Sequence, residues 1–112
     1  MNKYLVLYRS SSSAREQMAS ATSEQMKAGM DAWMAWAQRA GDAVVDLGAP
    51  LGNGGRVDAQ GVSGDGGEVS GFSVLQADSR DAVFELLRGH PHLQMPGGSS
   101  IEVHEYLPLP GM

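Results

Sequence analysis

The chain has 112 residues, of which 42% are hydrophobic and 19% charged, and it contains no cysteine. That length suits one globular domain, residues 1–112, whose core needs no staples, and the missing thiols exclude disulfides, cysteine nucleophiles and cysteine-ligated zinc or iron–sulfur centres. Thirteen acidic residues against eight basic ones give a formal charge of −5 with no Lys/Arg cluster, which leaves little from which to build a nucleic-acid surface. No apolar run is long enough for a membrane span, and the start Met1 to Arg9 lacks the pattern of a signal peptide, so the reading is of a soluble, cytoplasmic protein.

Residues 3–9 are rich in Tyr, Val and Leu and end at the serine cluster Ser10 to Ser13, the signature of a strand running into a loop. Tyr4, Val6 and Tyr8 alternate with Leu5 and Leu7, so both faces are apolar and the strand belongs in the middle of a sheet. Thr22-Ser23-Glu24-Gln25 has the form of a capping box that opens a helix running to Gly41. Met26, Met30, Trp33, Ala37 and Ala40, with Met34 beside them, form its apolar stripe, read as core packing with a ligand-facing aromatic wall as the alternative. Ala43 to Gly48 reads as a second strand. Nine of the 15 glycines fall between Gly48 and Gly71, which suits hairpin turns, and a short strand over 56–60 is expected across a glycine turn at Gly64 to Gly67.

Gly71 to Ala77 is a further strand, with Phe72 and Val74 on one side and Leu75 and Ala77 on the other. Asp78 or Ser79 caps a second helix with Ala82, Val83, Leu86 and Leu87 as its apolar face, stopped by Gly89 and Pro91. Ile101 to Leu107 is the last strand, and Pro108-Leu109-Pro110-Gly111-Met112 follows as an extended arm suited to lie along a neighbouring subunit. The order predicts an α+β, ferredoxin-like βαββαβ domain with an antiparallel sheet. Two helices cover one face of such a sheet while the strands are apolar on both, so a homodimer packed sheet to sheet is expected.

Six segments together carry a resemblance: Lys3-Tyr4-Leu5-Val6-Leu7-Tyr8; Glu24 to Met30 with Trp33 and Trp36; Gly48-Ala49-Pro50-Leu51-Gly52; Gly71-Phe72-Ser73-Val74-Leu75; Gly89-His90-Pro91-His92-Leu93; and Ile101-Glu102-Val103-His104-Glu105. In this order the chain resembles the YCII-related family over nearly its whole length. The resemblance implies a dimeric α+β barrel of ferredoxin-like subunits. The branch named for an Asp-Gly-Pro-Phe turn carries that tetrapeptide where this chain reads Gly64-Asp65-Gly66-Gly67-Glu68. Relatives resembling a muconolactone-isomerase-like enzyme pair a first-helix histidine with an aspartate in an Asp-Pro pair after the second helix. Here His90-Pro91 stands at the Asp-Pro position and Asp31 lies close to the helix position, which implies the same pair inverted.

An imidazole oriented by a carboxylate can move a proton between two atoms of a substrate, as an isomerase, lyase or dehydrochlorinase requires. His90 and Asp31 are therefore the candidate catalytic pair; the plainer alternative is a helix-terminal histidine and a solvated aspartate. His90 and His92 with His104 or Glu102 form an alternative three-ligand metal set, although Pro91 between the first two leaves their directions open. Glu102, His104 and Tyr106 share one face of the last strand, either lining a cleft or bonding across the dimer. Neither glycine cluster matches a nucleotide loop, and Asp58 and Asp65 lack calcium-loop spacing. The expectation is a small-molecule pocket between the sheet and the first helix, with Trp33, Trp36, His92 and His104 as ligand-binding residues and no cofactor. A non-catalytic homodimeric binding or accessory protein is the alternative.

Overall fold

The computed structural model describes residues 1–11, 19, 21–64, 67–94 and 99–111. The elements in order are β1 (Asn2–Arg9), α1 (Ser23–Ala40), β2 (Val44–Pro50), β3 (Arg56–Asp58), β4 (Gly61–Ser63), β5 (Val69–Ala77), α2 (Arg80–Leu87) and β6 (Ser100–Glu105), with short 3-10 turns at Gly41–Ala43 and Pro91–Gln94. Four strands form one antiparallel sheet in the order β2-β5-β1-β6, and β3 and β4 form a separate two-stranded ribbon.

As the alternation of β1 requires, Tyr4, Val6 and Tyr8 are buried on one face with Leu75, Ala77, Trp36, Val83 and Leu87. The registers put Leu5 and Leu7 on the other face beside Phe72 and Val74 of β5 and Glu102 and His104 of β6. Both helices lie on the Tyr4 face. Among the described residues no helix lies on the Leu5 face, where Leu5, Leu7 and Phe72 are half-buried.

The first helix starts where the capping box placed it: Thr22 Oγ1 accepts from Gln25 N–H at 3.1 Å, and Gln25 Oε1 accepts from Thr22 N–H at 2.9 Å. Its apolar stripe is shorter than expected and turned toward Trp36. Met26, Met30 and Met34 are 45%, 61% and 43% exposed, whereas Trp36 is buried and Trp33, Ala37 and Ala40 pack on the core. The spacing 33, 36, 37, 40 is itself a helical face; its continuation one turn back falls on Gly29, which has no side chain to bury.

The ribbon also departs from expectation. β4, not the glycine cluster, pairs with β3, and the two-residue loop Ala59-Gln60 joins them; Asp58 Oδ1 accepts from Gln60 N–H at 2.9 Å and holds the turn. Asp65 and Gly66 of the expected glycine turn, and Ser12 and Ser13 of the serine cluster, lie outside the described residues. Every residue from Leu51 to Gly64 is exposed, and Val57 and Val62 face each other at 74% and 85% exposure. β2 meets β5 through two register shifts. Within the second of these, Gly48, at φ +84°, comes so close to Phe72 O that a Cβ would lie 1.7 Å from it. The last strand ends at Glu105, and Tyr106 to Leu109 continue without regular structure.

Candidate functional site

Tyr8 comes from the buried face of β1, Trp33 and Trp36 from the core side of α1, and His90 and His92 from the segment that follows α2. Gly89 and Pro91 end the helix, and His90 N–H closes onto Leu87 O at 3.1 Å, which turns the His90 ring back under α1. Trp36 Nε1–H donates to Leu86 O at 2.8 Å and so ties α1 to α2 beside it. Gly71, opposite Tyr8 in the sheet, leaves room for the phenol: a Cβ there would meet Ala49 O at 3.3 Å and the Tyr8 ring at 3.4 Å.

These five rings form one cluster. His90 stacks on Tyr8 with centroids 5.0 Å apart and an interplanar angle of 27°, and meets Trp33 and Trp36 edge to face, each at 4.5 Å. Tyr8 also meets Trp33 at 4.9 Å and His92 at 5.3 Å. Trp33 is the one member of the five that is half-exposed; the others are buried. The Tyr8 hydroxyl donates to Ser73 Oγ at 2.8 Å, because Ser73 spends its own proton on Leu47 O at 2.6 Å. Burial pushes the Tyr8 phenol up to about 12, the Ser73 bond opposing this only in part.

His90 is fully buried. His92 N–H donates to His90 Nδ1 at 3.0 Å, which makes that nitrogen the acceptor and places the proton of the neutral ring on Nε2. Nε2 has no hydrogen-bond partner among the described residues. Burial, with the nearby charges of His92 and Arg39 acting in the same direction, lowers the His90 pKa to about 4, so the ring is neutral at physiological pH. The site thus offers a buried N–H donor on a ring packed among aromatic side chains. The buried His92 is anchored by a 2.8 Å bond between its Nε2 and Arg9 O.

The remaining expected residues lie elsewhere. Asp31 is exposed and bonds to neither nitrogen of His90. Two positions before Trp33 is about 200° around a helix, so Asp31 sits on the far side of α1 from the rings, and the expected catalytic pair is not assembled. His104 stands opposite Leu5 on the other face of the sheet, its Nε2 3.1 Å from Glu102 Oε1, while Arg9 Nη1 lies 3.1 Å from Glu102 Oε2. The hydrogen bond from His104 and the Arg9 charge hold the Glu102 carboxyl below its ordinary range, partial desolvation notwithstanding. The sheet therefore separates His104 and Glu102 from His90 and His92, and no group of three potential metal ligands occurs among the described residues.

Tyr8 is the site residue that the sequence reading placed only in the core. Its signal was a tyrosine on a buried strand face, a group whose hydroxyl must be partnered, but the residues it meets are remote in sequence. The chain matches no protein-family model and no curated protein.

Proposed function

We propose that the chain is a ferredoxin-like domain of the YCII-related, dimeric α+β barrel kind that works as a homodimer and binds one small planar molecule through a carbonyl or similar oxygen, without a cofactor. The architecture is supported by the βαββαβ order, by the sheet order β2-β5-β1-β6 and by both helices lying on one face. The dimer is supported by the opposite face, where Leu5, Leu7, Phe72 and Val74 form an apolar centre that no described helix covers.

The observation that carries the binding reading is the buried Nε2–H of His90, which has no partner among the described residues. An unsatisfied buried donor costs about 1–3 kcal/mol, and a ligand oxygen would recover it. Because His90 Nδ1 is taken up by His92 N–H, the group the ring offers a ligand is Nε2–H, which donates, so the oxygen is polarised where it binds; Trp33, the half-exposed member of the cluster, is the side chain beside which a ligand would enter. The His90–Asp31 proton-transfer reading requires Asp31 to reach the rings from the far side of α1, and the donor reading requires no such movement.

Acetophenone and ethylbenzene test the reading, because they share shape and differ in the oxygen. Acetophenone is expected to raise the melting temperature and shift the Trp33 indole resonance, binding about tenfold more tightly than ethylbenzene. His90→Phe should equalise the two. Equal binding of both by the unaltered chain, or binding of neither at millimolar concentration, would discard the donor site.

A further inference from the structure

We infer that the edge strand β6 and the C-terminal arm form a reciprocal interface with a second copy of the chain, distinct from the open sheet face. β6 is the last strand of the sheet and pairs with β1 alone. Tyr106 N–H donates to Lys3 O at 2.9 Å, which fixes the parity of that ladder: even-numbered residues of β6 direct their main-chain groups toward β1, and Ile101, Val103 and Glu105 direct theirs outward. Among the described residues nothing pairs with that outer edge. Beside it runs an apolar groove of about 190 Å³ lined by Phe84, Leu87, Arg88, Leu93, Ile101 and Val103. A bare edge next to an apolar groove is the form of a site that accepts an added strand.

The chain itself carries a strand of the required kind. Tyr106, Leu107 and Leu109 are 51%, 74% and 64% exposed, an apolar segment left largely uncovered among the described residues. In Leu107-Pro108-Leu109-Pro110 the two leucines direct their N–H and C=O groups to one edge, and the prolines, which have no N–H, fall on the other. Continuing β6, the proline side is the β1 side, and by the β6 register Pro108 falls opposite Met1, ahead of the first residue of β1. The leucine side is the outer edge. Beyond Tyr106 the outer edge of the arm thus offers both donors and acceptors, whereas its β1 side offers acceptors only.

Twofold symmetry with outward groups paired to outward groups restricts the centre to an even-numbered residue, and Tyr106 is the centre that lays the arm along the partner's β6. An antiparallel pair centred on Tyr106 places Leu107 opposite the partner's Glu105 and Leu109 opposite the partner's Val103, joining outward groups to outward groups. Leu109 shares the sheet face of Ile101 and Val103, so its side chain enters the partner's groove. Residues 106–109, ahead of the turn at Pro110-Gly111, would extend about 13 Å as a strand, enough to lie along the partner's residues 103–106. Because the edge is lateral to the open face, the two isologous interfaces together close a tetramer of dihedral symmetry.

Tyr106 would face its own symmetry mate at a non-hydrogen-bonded position, where Cα atoms are about 4.5 Å apart and within disulfide range. In this cysteine-free chain, Tyr106→Cys is expected to give a covalent dimer on oxidation far faster than Gln38→Cys, placed on exposed α1 surface. Leu109→Asp, at a position exposed in the lone chain, is expected to halve the mass seen by sedimentation equilibrium with unchanged circular dichroism. Cross-linking no faster than the control, or a mass unaltered by Leu109→Asp, would overturn the edge interface. Cross-linking that persists in a Tyr106→Cys/Phe72→Asp chain would show that it does not depend on the open face, and cross-linking lost there would overturn the edge interface as distinct.

Discussion

A histidine that is neutral because it is buried makes the fold sensitive to acid. Unfolded, the His90 ring takes up a proton near pH 6.5; folded, only near 4. The unfolded chain thus binds more protons across that interval, so the stability His90 contributes is complete above pH 6.5 and is lost as pH falls toward 4. The loss amounts to at most about 3 kcal/mol. Urea midpoints measured at pH 7 and pH 4.5 should fall more for the unaltered chain than for His90→Phe; parallel falls in the two would mean that His90 titrates as an ordinary surface imidazole. Individual residues were legible in the sequence where a local pattern fixed them, as with the Thr22–Gln25 reciprocal bonds. Asp31 was not, because its expected place came from a count along the chain, and an error of a single helical residue turns a side chain by about 100°.

At the scale of elements, the strands of the main sheet were readable as short runs rich in β-branched, aliphatic and aromatic residues bounded by turn residues, and β1, apolar on both faces, announced its central place. The region from Gly48 to Gly71 was not, because glycines mark where a chain can bend without saying which bend it takes. Gly48 shows what was hidden: its positive φ and its approach to Phe72 O hold β2 against β5 across two register shifts. Gly48→Ala should destabilise the domain by about 3 kcal/mol or more and loosen β2 first. Thermal unfolding with hydrogen exchange resolved to β2 and β5 checks this, and an alanine variant as stable and as protected as the parent would show that the shifts have another origin. The first helix was legible at its ends and misjudged along its side, since three methionines at helical spacing satisfy a pattern that the sheet, only four strands wide, does not extend far enough to cover.

The whole molecule measures 48 × 44 × 20 Å with a radius of gyration of 15.4 Å, against about 13 Å for a compact domain of this length. It is broad and thin: one layer of helices on one sheet, with the ribbon and the arm standing off the body. A second sheet laid on the open face would give that centre of Leu5, Leu7, Phe72 and Val74 the dry environment its composition calls for. Phe72→Asp should therefore halve the mass in sedimentation equilibrium while leaving the helical signal intact, and a mass that does not change would remove the open face as an interface. In the sequence, the open face was legible only as a surplus of apolar positions over available cover. The sequence pattern counts faces, and it does not tell what covers them.

The β3–β4 ribbon has a practical corollary. Its rungs are exposed throughout, and its tip at Ala59-Gln60 is closed by the Asp58–Gly61 pair and the bond from Gln60 N–H to the Asp58 side chain. Foreign sequence grafted between those two residues would therefore hang from a stalk without entering the hydrophobic interior. The site makes the domain a ready carrier for a peptide epitope or a fluorophore, displayed on the outside while the ring cluster beneath α1 keeps its packing.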